Sequence, residues 1–150
     1  MQSVAVDLVV ISLLNFKIPK VLLIRRGKDP FKGLLAFPGG FLDNNESAED
    51  AVLRELKEEC SLELPTNNKP YLFKVCSKPD RDPRGRVISL VYFVEYNQEP
   101  FPVKGADDAA EAVWMDTQSP ELEKMGFDHA ETMREIMDFL MVGPHDGPLD

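Results

Sequence analysis

The chain has 150 residues, 43% of them hydrophobic and 29% charged, and carries a net charge of -9 from 26 acids against 17 bases. Length and composition are those of one soluble globular domain. The acidic surface repels nucleic acid, which excludes a general polyanion-binding role, and it repels small phosphates unless a divalent cation inverts the local field.

The start of the chain, MQSVAVDLVVISLL, lacks a basic segment, and Asp7 interrupts its apolar run. No signal peptide is expected there. No apolar run reaches the roughly 18–20 residues of a bilayer span, so no membrane association is expected. VAVDLVVISLL is rich in β-branched residues and reads as a strand. KVLLIRR reads as a second strand, joined to the first as a hairpin through NFKIPK. LLAFPGGF holds a short strand ending at Pro38, Gly39 and Gly40. SAEDAVLRELKEE reads as a helix with Ser47 as N-cap and Asp50 completing a weak capping box. Ala51, Leu56 and Leu62 face the core. YLFKVCS and RVISLVYFVEY read as strands on either side of the charged loop KPDRDPRG. EAVWMD is a short final strand. FDHAETMREIMDFLM is an amphipathic helix capped by Asp128, with Met133, Ile136, Met137, Leu140 and Met141 as its core stripe. Strands separate the two helices, so the expected class is α/β, an α/β/α sandwich around a mixed central sheet. Residues 1–142 are expected to form one domain and 143–150 a flexible tail. Cys60 and Cys76 give neither a disulfide framework nor zinc spacing, which fits free thiols in a reducing cytoplasm.

The stretch RELKEEC needs a physical explanation. Glu55, Glu58 and Glu59 stand at i, i+3 and i+4, so a helix crowds all three carboxylates on one face. Each like-charge pair costs a few tenths of a kcal/mol. A hard divalent cation relieves that repulsion, because it takes carboxylate oxygens and phosphate oxygens together. Arg54 is within reach of Glu46 and Glu58 and is expected to orient the acids. Ser61 stands where a helix stop favours glycine.

GFLDNNESAEDAVLRELKEECSL resembles the Nudix box, G-x5-E-x7-R-E-U-x-E-E-x-G-U, where U is apolar. Gly40, Glu46, Arg54, Glu55, Leu56, Glu58, Glu59 and Leu62 meet it, and Ser61 replaces its second glycine. LLIRRGKDPFKGLLAFPGGF is similar to the segment that precedes the box in that family. The resemblance implies the Nudix-type sandwich and hydrolysis of a nucleoside diphosphate linked to another moiety. It implies Mg2+ or Mn2+ held by Glu55, Glu58 and Glu59, with a backbone carbonyl at Gly39 or Gly40. Glu58, Glu59, Arg54 and Glu46 form the implied catalytic set. The general base would come from the box or from a distant loop, where Asp107, Asp108 and Glu111 are candidates. Glu111 is equally readable as an exposed strand residue.

DRDPRGRVISLVYFVEY and GFDHAETM resemble a Nudix subgroup that includes ADP-ribose pyrophosphatases and ADP-ribose-sensing regulators. Arg81, Arg84 or Arg86 would bind a phosphate or the terminal ribose, since guanidinium forks suit phosphate oxygens. Arg26 is a further candidate for the diphosphate. The loop is also readable as a hairpin turn with self-paired charges. His129 reads as a structural residue at the helix start. The resemblance implies cleavage of ADP-ribose to AMP and ribose 5-phosphate, and a homodimer. Nucleoside triphosphates, oxidised nucleotides or other nucleotide sugars are alternative substrates, and a non-catalytic nucleotide-sugar sensor is the alternative of another class. The acidity of the chain argues against DNA as a partner.

Overall fold

A computed structural model of the chain describes residues 3–13, 18–96, 98 and 109–141. Seven strands form one sheet: β1 Ser3–Ser12, β2 Lys20–Arg26, β3 Leu35–Ala36, β4 Gly39–Phe41, β5 Tyr71–Cys76, β6 Val87–Glu95 and β7 Ala109–Asp116. Two helices flank it, α1 Ala48–Cys60 and α2 His129–Met141. A short 3-10 helix, Pro120–Lys124, leads into the second.

The alternation in the long strands explains the layers. Val6, Leu8 and Val10 of β1 and Leu22 and Ile24 of β2 pack with Ala51, Val52, Leu56 and Cys60 of α1. Their neighbours Val9, Ile11, Val21 and Leu23 pack with Met133 and Ile136 of α2. Both faces of the central strands are buried, as a helix-covered mixed sheet requires. Tyr92 of β6 donates its hydroxyl to Glu49 of α1 at 2.7 Å, which fixes the helix against the sheet.

The expected hairpin is present only at its closed end. β1 and β2 meet antiparallel at Ile11↔Val21 and Ser12↔Lys20 and then diverge. β4 takes over on β1, pairing Phe41 with Ala5, Gly40 with Val6 and Gly39 with Asp7. β3 takes over on β2, pairing Ala36 with Ile24. The expected single strand in LLAFPGGF is therefore two, because the chain crosses from β2 to β1 at Phe37 and Pro38. Gly39 and Gly40 continue as strand. Along its other edge β1 pairs in parallel with β6 over Ser3↔Val87 to Ile11↔Glu95. The split between β1 and β2 opens the sheet next to α1.

Ser47 caps α1, its hydroxyl accepting from the Asp50 N–H at 3.1 Å. The helix stops at Ser61 in the left-handed conformation, φ 55° and ψ 34°, with its N–H on the Lys57 carbonyl at 3.0 Å. That turn brings Glu63 to Lys57 at 2.8 Å, relieving a lysine with no acid one helical turn away. Ser61→Gly is expected to stabilise the fold by about 1 kcal/mol, because only a side chain resists this conformation. A thermal melt should rise by about 2–4 °C with activity unchanged. A lowered melt would show that serine is not strained there.

The core stripe of α2 is shorter than expected. Met133 and Ile136 are buried, but Met141 is 80% exposed. Asp128, expected as its cap, has both carboxylate oxygens on the Arg81 guanidinium, at 2.8 and 2.9 Å. Cys60 and Cys76 are buried free thiols. No helix of the described residues is long and apolar enough to cross a membrane. The expected tail at 143–150 lies outside the described residues.

Candidate functional site

The carboxylates of α1 are organised by one arginine. Arg54 donates to Glu46 at 2.6, 2.9 and 3.2 Å, to Glu55 at 2.8 Å, to Glu58 at 3.1 Å and to the Phe41 carbonyl at 3.1 Å. This explains how one helix face tolerates like charges: the guanidinium fork spans them and ties the helix to β4. The Arg54 hydrogen bond, followed by the Asp43 N–H, pushes the Glu46 carboxyl down to about 2. Arg54 is pushed up in turn, chiefly by Glu46.

Glu59 lies outside that network. It is 5% exposed and accepts from the Gly39 N–H at 2.7 Å. Burial pushes its carboxyl up to about 8 despite that hydrogen bond, and the Glu55 and Asp7 charges add to the rise. Burial also raises Glu55, against the pull of Arg54. Both acids are therefore harder to ionise than a solvated carboxylate. The glycines make the close approach of these acids possible. A Cβ on Gly40 would stand 2.5 Å from Glu55 Oε1, and one on Gly39 would stand 2.1 Å from the Val6 carbonyl oxygen.

The raised Glu59 gives a pH prediction. The folded, metal-free protein keeps this proton where the unfolded chain, titrating near 4.5, has lost it. The resulting stability is fully present below about 4.5 and is lost as pH rises through about 8. A cation needs the carboxylate and reverses the trend. The melting temperature without metal should fall between pH 6 and pH 9, and added Mg2+ should raise it more at pH 8.5 than at pH 6.5. Glu59→Gln should flatten the fall. An equal Mg2+ shift at both pH values would contradict the assignment.

The acids open into a cavity of about 550 Å³ at the split in the sheet. That is within the roughly 300–1,000 Å³ of small-molecule sites. Its lining includes the acids Glu55, Glu58 and Glu59, the cations and rings Arg26, Lys28, Arg84, Phe41 and Phe127, the deeply buried polar residues Asp7, Asp82, Ser89 and His129, and apolar side chains such as Ile24 and Val87.

The four arginines expected to bind substrate are placed differently from one another. Arg26 and Arg84 line the cavity, with their guanidinium carbons 5.1 and 5.6 Å from the Phe127 ring centroid. Arg84 also stands 4.8 Å over Phe41 and is paired with Asp82 at 2.8 Å. Arg81 lines the cavity too, but its buried fork is committed to Asp128. Arg86 donates to the Ser77 carbonyl at 2.6 Å and is not part of the lining. Self-pairing in DRDPRGR thus accounts for Asp82 and Arg84, while Arg81 reaches across to the last helix. Glu111 accepts from Arg25 at 3.0 Å across β2 and β7 and is not part of the lining. Asp107 and Asp108 lie outside the described residues.

His129 is structural and also faces the site. Its Nδ1 accepts from the Phe37 N–H at 3.2 Å, and its Nε2 stands 3.4 Å from Asp7. Sequence reasoning missed Asp7, Ser89, Lys28 and the ring pair Phe41 and Phe127. An acid within an apolar strand was the only signal for Asp7.

The donor set suits a hard divalent cation in chemistry: carboxylate oxygens beside a glycine backbone, two of them raised by burial. Among the described residues, no three His, Cys, Asp or Glu side chains converge on one point in this arrangement, in which Arg54 and the Gly39 N–H hold the acids.

Fold and site together define a class: a split mixed sheet between two helices, with an arginine-bridged glutamate helix beside a two-glycine strand. The NUDIX domain model matches residues 4–136, and the chain belongs to that family. It is 44% identical over 118 residues to the ADP-ribose pyrophosphatase of Methanocaldococcus jannaschii, covering 79% of this chain and 66% of that protein. It is 27% identical over 120 residues to the ADPR responsive transcriptional repressor NtrR of Acinetobacter baylyi, covering 77% and 46%. The NUDIX domain of Shewanella oneidensis NrtR, solved in complex with ADP ribose, superposes with a TM-score of 0.81 at 26% identity, covering 93% of this chain and 89% of that one. The chain thus spans less than two thirds of the length of both curated relatives.

Proposed function

We propose that this protein is a Mg2+- or Mn2+-dependent hydrolase that cleaves ADP-ribose to AMP and ribose 5-phosphate. The observation that carries this is the Arg54-bridged set of Glu46, Glu55 and Glu58 beside the buried Glu59, at the mouth of a cavity of nucleotide size. The name of the Methanocaldococcus jannaschii relative supports ADP-ribose as substrate, and the ADPR-responsive repressor and the NrtR domain complex support it as ligand.

Glu55, Glu58 and Glu59, with the backbone at Gly39 or Gly40, would hold the cation. When bound it neutralises the diphosphate and lowers the pKa of a coordinated water. Arg54 and Glu46 hold the helix acids in place and do not touch substrate. Arg26, Lys28 and Arg84 present positive charge to the diphosphate, and the rings of Phe41 and Phe127 offer stacking surface. The acids favour an enzyme over a sensor, because binding alone gives little reason to bury Glu59 beside Glu55 and Asp7.

The test is turnover with Mg2+ on ADP-ribose, other nucleotide sugars and nucleoside triphosphates, read as phosphate releasable by phosphatase. Preference for ADP-ribose is expected. Turnover of triphosphates alone would reject the substrate, and binding without turnover of any compound would favour a sensor.

A further inference from the structure

Asp7 is 8% exposed, in the middle of a strand whose neighbours are Val6, Leu8 and Val9. A carboxylate there is costly unless its oxygens are hydrogen-bonded. Only one of them is. The Ser89 hydroxyl donates to Oδ2 from the paired strand β6. His129 faces the same oxygen: its Nδ1 accepts from the Phe37 N–H, which leaves the proton on Nε2, 3.4 Å from Oδ2. The other oxygen, Oδ1, receives no hydrogen bond from the described residues. It lies beside Gly39, where a Cβ would come within 2.6 Å of it, and Asp7 lines the cavity. Glycine at 39 therefore leaves Oδ1 uncovered.

We infer that Asp7 Oδ1 is a substrate-reading acceptor, fixed by Ser89 and His129 to receive a neutral O–H or N–H donor of the bound nucleotide. This rests on the function proposed above and adds a specificity residue to it. Three parts of ADP-ribose offer such a donor: the hydroxyls of the terminal ribose, the hydroxyls of the adenosine ribose and the exocyclic amine of adenine. A site with a fixed buried acceptor rejects analogues that lack the donor, because the acceptor is then left unpaired.

Asp7→Asn keeps the shape, keeps an oxygen for Ser89 and His129, and turns the cavity-facing acceptor into a donor. The experiment compares wild type and Asp7→Asn on four compounds: ADP-ribose, its inosine counterpart without the amine, and two ADP-ribose analogues, one without the 2- and 3-hydroxyls of the terminal ribose and one without those of the adenosine ribose. Wild type should lose about 10- to 100-fold in kcat/KM on one analogue, which identifies the donor. Asp7→Asn should lower ADP-ribose to that level, mainly through KM, while acting little on that analogue and keeping the Mg2+-induced thermal shift. A fall of equal size on all four compounds, loss of the Mg2+ shift, or no fall on any would overturn the inference. If wild type turns over none of them, the proposed function fails on its own. Calorimetric binding of ADP-ribose to the two proteins then reads the contact, and equal Kd values or no binding overturn it. Ser89→Ala removes one tether of Asp7 and no charge, and should give a smaller change of the same pattern; it serves if Asp7→Asn does not fold.

Discussion

Glu59→Gln is expected to lower kcat/KM by about a thousandfold while the protein stays folded and, above pH 7, melts higher than wild type. The magnitude follows from removing a carboxylate that the cation requires, so that the charge developing on the transferring phosphoryl group loses its stabilisation. The gain in stability follows from burial. The wild-type side chain is 5% exposed and raised to about 8, so at alkaline pH it places an uncompensated charge in a dry site. Glutamine fills the same space without that charge and still offers an oxygen to the Gly39 N–H. Activity and stability then move in opposite directions at one residue, as expected where a site is strained for function. Steady-state kinetics with ADP-ribose and a thermal melt at pH 8.5 check both halves. Full activity in Glu59→Gln would overturn the metal assignment, and a lowered melt would overturn the electrostatic one.

Arg54→Ala has the second large effect. Its side chain is 25% exposed and touches Glu46 and Glu55, whose side chains are 14% and 13% exposed. Removing it leaves two half-buried carboxylates facing each other with nothing between them. Breaking a fully buried pair is strongly destabilising, and with the solvent access of these groups a smaller loss of stability is expected here. Activity should fall by about 10- to 100-fold, the scale for groups that only orient metal ligands. The loss should appear as a raised Mg2+ requirement, partly overcome by more cation. Adding Glu46→Gln to Arg54→Ala should recover part of the stability, since the two side chains act as a unit. Stability measured by denaturant and a Mg2+ titration of activity check this. Strict additivity of the two changes would show that the bridge carries no coupling.

The legible parts of the fold are the local ones. Ser47, Ala51 and Leu56 announce α1 through capping and spacing, and the acids on its face are visible because i, i+3 and i+4 suffice to place them. The parallel pairing of β1 with β6 and the split between β1 and β2 are not legible, because nothing within either strand names its partner. The same limit hid the polar floor of the cavity. Asp7, Ser89 and His129 come from three elements far apart in the chain. Arg54 was half legible: its reach to Glu58 follows helix geometry, but its bond to Glu55, its neighbour in sequence, depends on a long side chain curling back. For Arg81 the charge was visible and its commitment was not, because Asp128 arrives only when α2 docks. Arg86 and Glu111 show the same thing, with a carbonyl and an arginine already beside them.

Product analysis in 18O-labelled water tests the central claim most directly. The protein is incubated with ADP-ribose and Mg2+, and the products are separated and weighed by mass spectrometry. The expected result is AMP and ribose 5-phosphate in equal amounts, with the label in one of the two, and no product when EDTA replaces Mg2+. ADP-ribose bound by the protein and returned intact and unlabelled would contradict it.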